Sequence, residues 1–244
     1  MRYLILSDIH ANWEALEACL ADAEGEYDTI VCLGDVVGYG ADPNAVTDWT
    51  RDNCAQVIRG NHDKVSCGIE EPLMFNPVAR LAVDWTRSQL SPHNRQYLRE
   101  LPQGPVDFDE FLMVHGAISD EDEYLISMRD AMDQFPRAPG RLVLFGHTHV
   151  QGGFFERAVR NGSTAELNGS PNRLRIREGE TYLVNPGSVG QPRDLIWQAG
   201  YALYDSDSRA VEYRRCSYDV ETAQEKIRRA GLPPVLSDRL ALGR

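Results

Sequence analysis

Five short apolar runs each end in a turn rich in Asp, Asn or His, and this pattern constrains the chain more than any other feature of it. Residues 2–6 (RYLIL) lead into Ser7-Asp8-Ile9-His10, and residues 29–33 (TIVCL) into Gly34-Asp35. Residues 55–59 (AQVIR) lead into Gly60-Asn61-His62-Asp63, residues 111–114 (FLMV) into His115-Gly116, and residues 142–145 (LVLF) into Gly146-His147-Thr148-His149. Runs of this length, bounded by Gly and polar residues, suit buried strands. Residues 12–24 carry Trp13, Leu16 and Leu20 at helical spacing with Asn12 as N-cap. Residues 44–52 suit a helix opened by Asp42-Pro43, 73–101 look helical with a break at Ser91-Pro92, and the acidic segment 120–135 holds another helix. Such alternation predicts βαβ units, right-handed crossovers and a largely parallel sheet.

After residue 150 the texture changes to GGFFERAV, RLRIRE, TYLVN, YALYD and AVEYRR, separated by turns rich in Gly, Asn and Ser. That pattern predicts antiparallel strands and hairpins. A last helix is expected over 220–230, followed by a Pro-Pro tail that is expected to be loosely held. No repeat or linker interrupts the 244 residues, so a single domain over 1–244 is expected.

The run-ending turns carry the chemistry. In open α/β sheets ligands bind at the C-terminal edge of the strands, and five of the six histidines fall in these junctions. One Asp at one strand-to-helix junction is ordinary capping. Five junctions supplying Asp, Asn and His, with no Cys, form a mixed oxygen and nitrogen set suited to borderline divalent ions such as Mn, Fe, Co, Ni or Zn. The donors are too many for one tetrahedral site, which points to two ions. Glycines beside Asp35, Asn61, His115 and His147 would let the backbone approach closely. If the chain stays extended through Asp8/His10 and His147/His149, each pair points to one side of the sheet.

At these residues the sequence resembles the calcineurin-like metallophosphoesterases. Asp8-Ile9-His10, Gly34-Asp35, residues 60–63 (GNHD), His115-Gly116 and residues 146–149 (GHTH) match the family's successive blocks in order. GDVVGYGADP and NPGSVGQPR further resemble a small prokaryotic branch containing YfcE-type phosphodiesterases and diadenosine tetraphosphatase-like proteins. The resemblance implies an α/β fold, a four-layer αββα sandwich of two mixed central sheets flanked by helices. It implies that Asp8, His10 and His149 hold a first metal, Asn61, His115 and His147 a second, and that Asp35 bridges both. His62 would contact a phosphoryl oxygen or protonate the leaving group, steadied by Asp63. Two divalent ions are implied, Mn foremost, with Fe, Zn, Co or Ni as alternatives.

The expected activity is hydrolysis of small, nucleotide-like phosphodiesters by a hydroxide held between the metals. Two divalent ions less the charges of Asp8 and Asp35 leave a positive site that a hydroxide and a diester monoanion neutralise, which favours a diester over a monoester. Dinucleoside polyphosphate or phosphomonoester hydrolysis is the alternative, and a non-catalytic metal-binding scaffold a further one. Lys and Arg total 25 against 37 Asp and Glu, a net charge of -12 that disfavours long nucleic acids and anionic membranes as partners. The partner expected is a small phosphoester substrate. The five cysteines lack CxxC spacing and suit a reducing compartment, and Asp8 and His10 cut the first apolar run too short for a signal peptide, so a cytoplasmic location is expected.

Substrate contacts are less defined. Tyr39 offers a stacking face or a packed turn aromatic, and Arg193 reaches toward the site from the NPGSVGQPR turn. Arg173 and Arg175, with Arg177, Arg157 and Arg160, form a basic patch. A contact for distal phosphates and a solvated hairpin face both fit it, the second better.

Overall fold

In the first strand, β1 (Arg2–Leu6), the side chains alternate between two cores. Leu4 and Leu6 pack against Leu16 and Cys19 of helix α1 (Trp13–Asp22), while Tyr3 and Ile5 face Phe111, Met113, Leu142, Leu144, Tyr182 and Val184 of a second sheet. A strand covered on both faces must be apolar throughout, which is why these runs lack polar alternation. The computed structural model describes residues 1–156, 164–167 and 172–244. The basic-patch residues Arg157 and Arg160 lie outside the described residues.

The first sheet continues with β2 (Thr29–Cys32) and β3 (Gln56–Val57), both parallel to β1. On its other side run β11 (Ala199–Asp205), β12 (Ala210–Cys216) and β9 (Arg173–Arg175), all antiparallel to their neighbours, giving the order β3-β2-β1-β11-β12-β9. The second sheet contains β4 (Val106–Phe108), β5 (Phe111–Met113), β6 (Leu142–Leu144), β10 (Thr181–Asn185), β7 (Gly152–Glu156) and β8 (Thr164–Leu167), in that order. Its outer face packs Val143 and Leu183 against Ala131 and Phe135, from and just after helix α6 (Met128–Gln134). The outer layer on the first sheet comprises α1 and α7 (Val220–Arg229), with α2 (Pro43–Asn53), α4 (Pro77–Gln89) and α5 (Pro92–Glu100) beside them. The architecture is thus two mixed sheets, face to face, flanked by helices.

Several expectations are corrected. β3 keeps only two residues, because the chain turns at Gly60 into a short helix α3 (Asn61–Ser66). TYLVN forms β10, antiparallel to β7 as expected, but its other neighbour, β6, runs parallel to it. The Pro-Pro tail is not loose. It forms helix α8 (Pro234–Asp238) and a final 3-10 turn, burying Leu236 and Leu240 in the same core as α1 and α7. Among the described residues no helix is long and apolar enough to cross a membrane.

Candidate metal centre

The C-terminal ends of β1, β2 and β3 in the first sheet and of β5 and β6 in the second bring seven candidate donors together. Asp8, His10, Asp35 and His149 place one donor atom each within 4.8 Å of one another, as do Asp35, His115 and His147, all of them buried. Asp35 belongs to both groups. Its Oδ2 lies 3.5 Å from His10 Nε2 and 3.4 Å from His115 Nε2, while its Oδ1 accepts the His62 backbone N–H at 2.8 Å. Asn61 Oδ1 joins the second group, 3.4 Å from His115 Nε2.

The donors converge by a different route from the extended alternation expected of each pair. Asp8, His10, Asp35, His147 and His149 all have positive φ, between 49° and 64°. For residues other than Gly this left-handed conformation costs about 1–2 kcal/mol each, and clustering of such residues marks a functional site. Two glycines make room. A Cβ on Gly146 would sit 2.1 Å from Ser7 Oγ and 2.8 Å from Asp8 Oδ2, and one on Gly38, at φ +95°, would sit 2.4 Å from His62 Nδ1.

Backbone carbonyls fix the rings. Nδ1 of His10 faces Val37 O at 3.0 Å, that of His115 faces Leu33 O at 2.8 Å, and that of His149 faces Gln191 O at 2.6 Å. A nitrogen facing a carbonyl must carry the proton, so in the neutral rings Nε2 presents a lone pair to the centre. His147 is reversed: its Nε2 faces Asp122 O at 3.1 Å, leaving Nδ1 for the centre. His10 Nε2 and His149 Nε2 then confront each other at 3.1 Å. Burial lowers the proton affinity of His10, against the pull of Asp35, and lowers that of His149, reinforced by Arg193. Two neutral rings aiming lone pairs at one point need a cation between them, so this donor set fits a divalent metal.

The remaining charges follow from burial and proximity. Burial alone would raise Asp8 and Asp35, but His149 at the first and His115 and His62 at the second hold both carboxyls below the usual range. Burial pulls His115 down, yet Asp35 and Asp8 outweigh it and push the imidazole up to about 10. His147 falls to about 3, through burial and the neighbouring His115.

With this geometry the family comparison is decisive: the model of the calcineurin-like phosphoesterase superfamily domain matches residues 1–209. The chain belongs to that family. This calcineurin-like phosphoesterase is similar to the metallophosphoesterase of Sphaerobacter thermophilus, with 39% identity, TM-score 0.87 and complete coverage of both chains. It is 35% identical over 245 residues to the uncharacterized protein MJ0912 of Methanocaldococcus jannaschii, covering 98% of this chain and 97% of that one. The fold also matches protein PH1004 of Pyrococcus horikoshii OT3, with 20% identity, TM-score 0.80, and 100% and 98% of the two chains covered.

Around the phosphoesterase's donor cluster the other candidate residues divide. His62 is buried, its ring centroid 4.9 Å from that of His10, 4.4 Å from Tyr39 and 4.7 Å from Phe75, and its Nδ1 lacks a hydrogen-bond partner. Burial, against the pull of Asp35, lowers it to about 4. Asp63 does not steady the His62 ring: its carboxylate accepts the N–H groups of Gly60 at 2.9 Å and Val37 at 3.1 Å, so it clamps two loops together instead. Tyr39 and Arg193 are at the site, with Arg193 Nη2 3.4 Å from Tyr39 Oη.

Arg173 and Arg175 are not. Arg175 pairs in register with Ala210, Ala210 with Asp205, and Asp205 with Arg2, at the start of β1. Asp8 lies six residues further on, roughly 20 Å away at about 3.3 Å per residue. Both arginines are exposed on an edge strand, a solvated face.

The sequence reading missed Gln191, Asp122, Tyr124 and Arg239. Gln191 and Asp122 act through carbonyls, which leave no mark in residue type. Tyr124 stacks on His147 at 3.8 Å between centroids, and Arg239 comes from the tail, 4.6 Å from the Tyr39 ring.

Proposed function

We propose that this chain is a dinuclear metal-dependent phosphodiesterase acting on small, nucleotide-like phosphodiesters. The observation that carries the reading is Asp35 Oδ2, one carboxylate oxygen common to two buried donor sets. Asp8, His10, Asp35 and His149 would hold one cation, and Asp35, Asn61, His115 and His147 the other; the mixed oxygen and nitrogen set suits borderline divalent ions, with Mn foremost by the family resemblance. Such a pair supplies Lewis-acid polarisation of a phosphoryl oxygen and activates water near neutral pH. The 39% identity to a metallophosphoesterase over its full length supports the same chemistry.

The chain's own residues do the positioning. Leu33, Val37 and Gln191 orient His115, His10 and His149 through their carbonyls. His62 stays neutral near pH 7, so its part is a hydrogen bond to a phosphoryl oxygen rather than delivery of a titrating proton. A cavity of about 370 Å³ opens beside it, lined in part by Tyr39, Phe75, Met74 and Tyr124, with Glu70 and Glu71 on one side. Its size suits a small ligand, its aromatic walls suit an aryl or base group, and Glu70 and Glu71 disfavour further negative charge at that end of the site.

The test is a panel of aryl phosphate diesters, monoesters and dinucleoside polyphosphates assayed against several divalent metals, with bound metal counted. Diester turnover with two equivalents of metal is expected. Preferential turnover of monoesters or polyphosphates would reassign the substrate, and no turnover of any ester would leave a metal-binding scaffold.

A further inference from the structure

Two arginines meet beside the donor cluster with no carboxylate to neutralise them. Arg193 follows the NPGSVGQP turn, and Arg239 follows α8 in the tail. Arg193 Nη2 lies 3.1 Å and Arg239 Nη2 2.6 Å from one neutral acceptor, Gln191 Oε1. Both guanidiniums also approach one aromatic ring, Tyr39, at 5.8 and 4.6 Å from its centroid. Among the described residues neither makes an ion pair, whereas Arg59 binds Glu121, Arg141 binds Asp107 and Arg215 binds Asp194. Arg239 Nε is buried without a partner. In a chain with twelve more acidic than basic residues, carboxylates are abundant, so two converging cations that have none form an incomplete arrangement. Like charges held partly buried destabilise each other unless an anion joins them, and paired guanidinium forks match the oxygens of a phosphate.

The pair is also wired to the centre. Gln191 accepts from both arginines through its side chain and from His149 through its carbonyl. Tyr39, under both guanidiniums, packs its ring 4.7 Å from His10 and 4.4 Å from His62. A group bound by the arginines therefore sits one aromatic ring away from the donor cluster. On the other side, the cavity is lined by Glu70 and Glu71. The site is polarised, with a cationic end and an acidic, aromatic end.

We propose that Arg193 and Arg239 form an anion subsite that binds a second phosphate of the substrate, distal to the ester that is cleaved. This rests on the phosphoesterase reading above and narrows its substrate class to phosphoesters carrying another anionic group. It also moves the distal-phosphate role away from Arg173 and Arg175, which lie on the edge strand β9, three strands from β1 and level with Leu4 and Arg2. The aryl or base portion then points toward Phe75 and Tyr124, and the second phosphate toward the tail.

Binding and turnover test it separately. Inorganic pyrophosphate is titrated by calorimetry into the chelator-treated protein and into Arg239→Gln, Arg239→Lys and Arg193→Gln, each checked for folding by circular dichroism. Pyrophosphate affinity is expected to fall at least tenfold in both glutamine variants and less in the lysine variant. Unchanged affinity in folded Arg239→Gln and Arg193→Gln overturns the subsite. In parallel, kcat/KM with Mn is compared for an aryl phosphodiester with and without a second phosphate. Wild type is expected to prefer the doubly charged ester at least tenfold, a preference that collapses in Arg239→Gln through KM. A wild-type ratio near one, or a ratio retained in the variant, also overturns the subsite. Arginine-dependent pyrophosphate binding without hydrolysis of any ester would sink the phosphoesterase reading and leave the anion site standing.

Discussion

His10 Nε2 and His149 Nε2 face each other at 3.1 Å while both Nδ1 atoms are committed to backbone carbonyls. Neither ring can donate to the other without gaining a charge that burial opposes. A bound cation removes this conflict, so metal stabilises the folded chain by mass action. At a metal concentration 100 times Kd the gain is about 2.7 kcal/mol, or about 5–10 °C in Tm for a chain of this size. Differential scanning calorimetry of the chelator-treated protein, with and without Mn, reads it directly. His149→Ala is expected to lose most of the shift, and an unchanged Tm in wild type would mean that no metal binds here.

Asp35→Asn separates the bridge from the fold. The amide keeps the shape and an oxygen to accept the His62 N–H, but replaces the shared carboxylate charge facing His10 and His115. Turnover is expected to fall at least about a hundredfold and bound metal to drop, following the loss of a ligand, while the metal-free variant still folds. Hydrolysis near the wild-type rate would refute a bridging role for Asp35.

Protons compete with metal at His115. Asp35 and Asp8 outweigh the effect of burial and push its folded value up to about 10, above an unfolded value of about 6.5. That proton stabilises the metal-free protein fully below pH about 6.5, and the contribution is lost as pH rises through about 10. The Tm of chelator-treated protein is therefore expected to decline between pH 7 and pH 10. Metal must displace the proton, so Mn affinity should rise about tenfold per pH unit in this window. At pH 7.5 the calorimetric enthalpy of Mn binding should vary with buffer ionisation enthalpy. A buffer-independent enthalpy would show that His115 is already neutral.

The chemistry of this site was legible in the sequence and its geometry was not. Residue types at five strand ends name the donors, because a metal selects them by chemistry. What brings Asp8, His10, Asp35, His147 and His149 together is positive φ, a backbone state that residue type alone does not announce. The same limit hid α3 and β4, elements too short for a periodic signal, although β5, the strand that pairs with β4, is legible in FLMV. The tail misled because a Pro-Pro pair near a terminus normally marks a mobile end. Here Pro234 opens a helix instead, and Leu236 and Leu240 anchor it. Arg239 thus reaches Tyr39 across 200 residues of chain, a contact that no local pattern encodes.

His62 tests whether a neutral ring suffices. With burial holding it at about 4, it carries no proton to titrate between pH 6 and pH 9. His62→Ala is expected to lower kcat about a hundred- to a thousandfold, the range for losing one positioned hydrogen-bond donor to a developing anion. The ratio of wild-type to variant kcat should stay flat across that pH range. A ratio that falls with rising pH through 6.5 would identify the protonated imidazole as an acid delivering its proton to the leaving group.

Gly146 is where the fold and the site compete for the same space. A Cβ there would sit 2.1 Å from Ser7 Oγ and 2.8 Å from Asp8 Oδ2, in a region where Ser7 and Asp8 are fully buried. Ser7 Oγ donates to Asp8 Oδ2 at 2.6 Å, and the His147 N–H approaches the same oxygen at 3.1 Å, so the added methyl must displace Asp8 or the GHTH turn. Gly146→Ala is expected to cost about 1–3 kcal/mol, as overpacking does, and to weaken Mn binding at least tenfold. Ser7→Ala removes the nearer clashing atom, so the double variant should recover part of the lost stability, a coupling that a double-mutant cycle measures. Wild-type Mn affinity in Gly146→Ala would mean that Asp8 can shift freely and still bind, and additive costs would mean that Ser7 is not the obstacle.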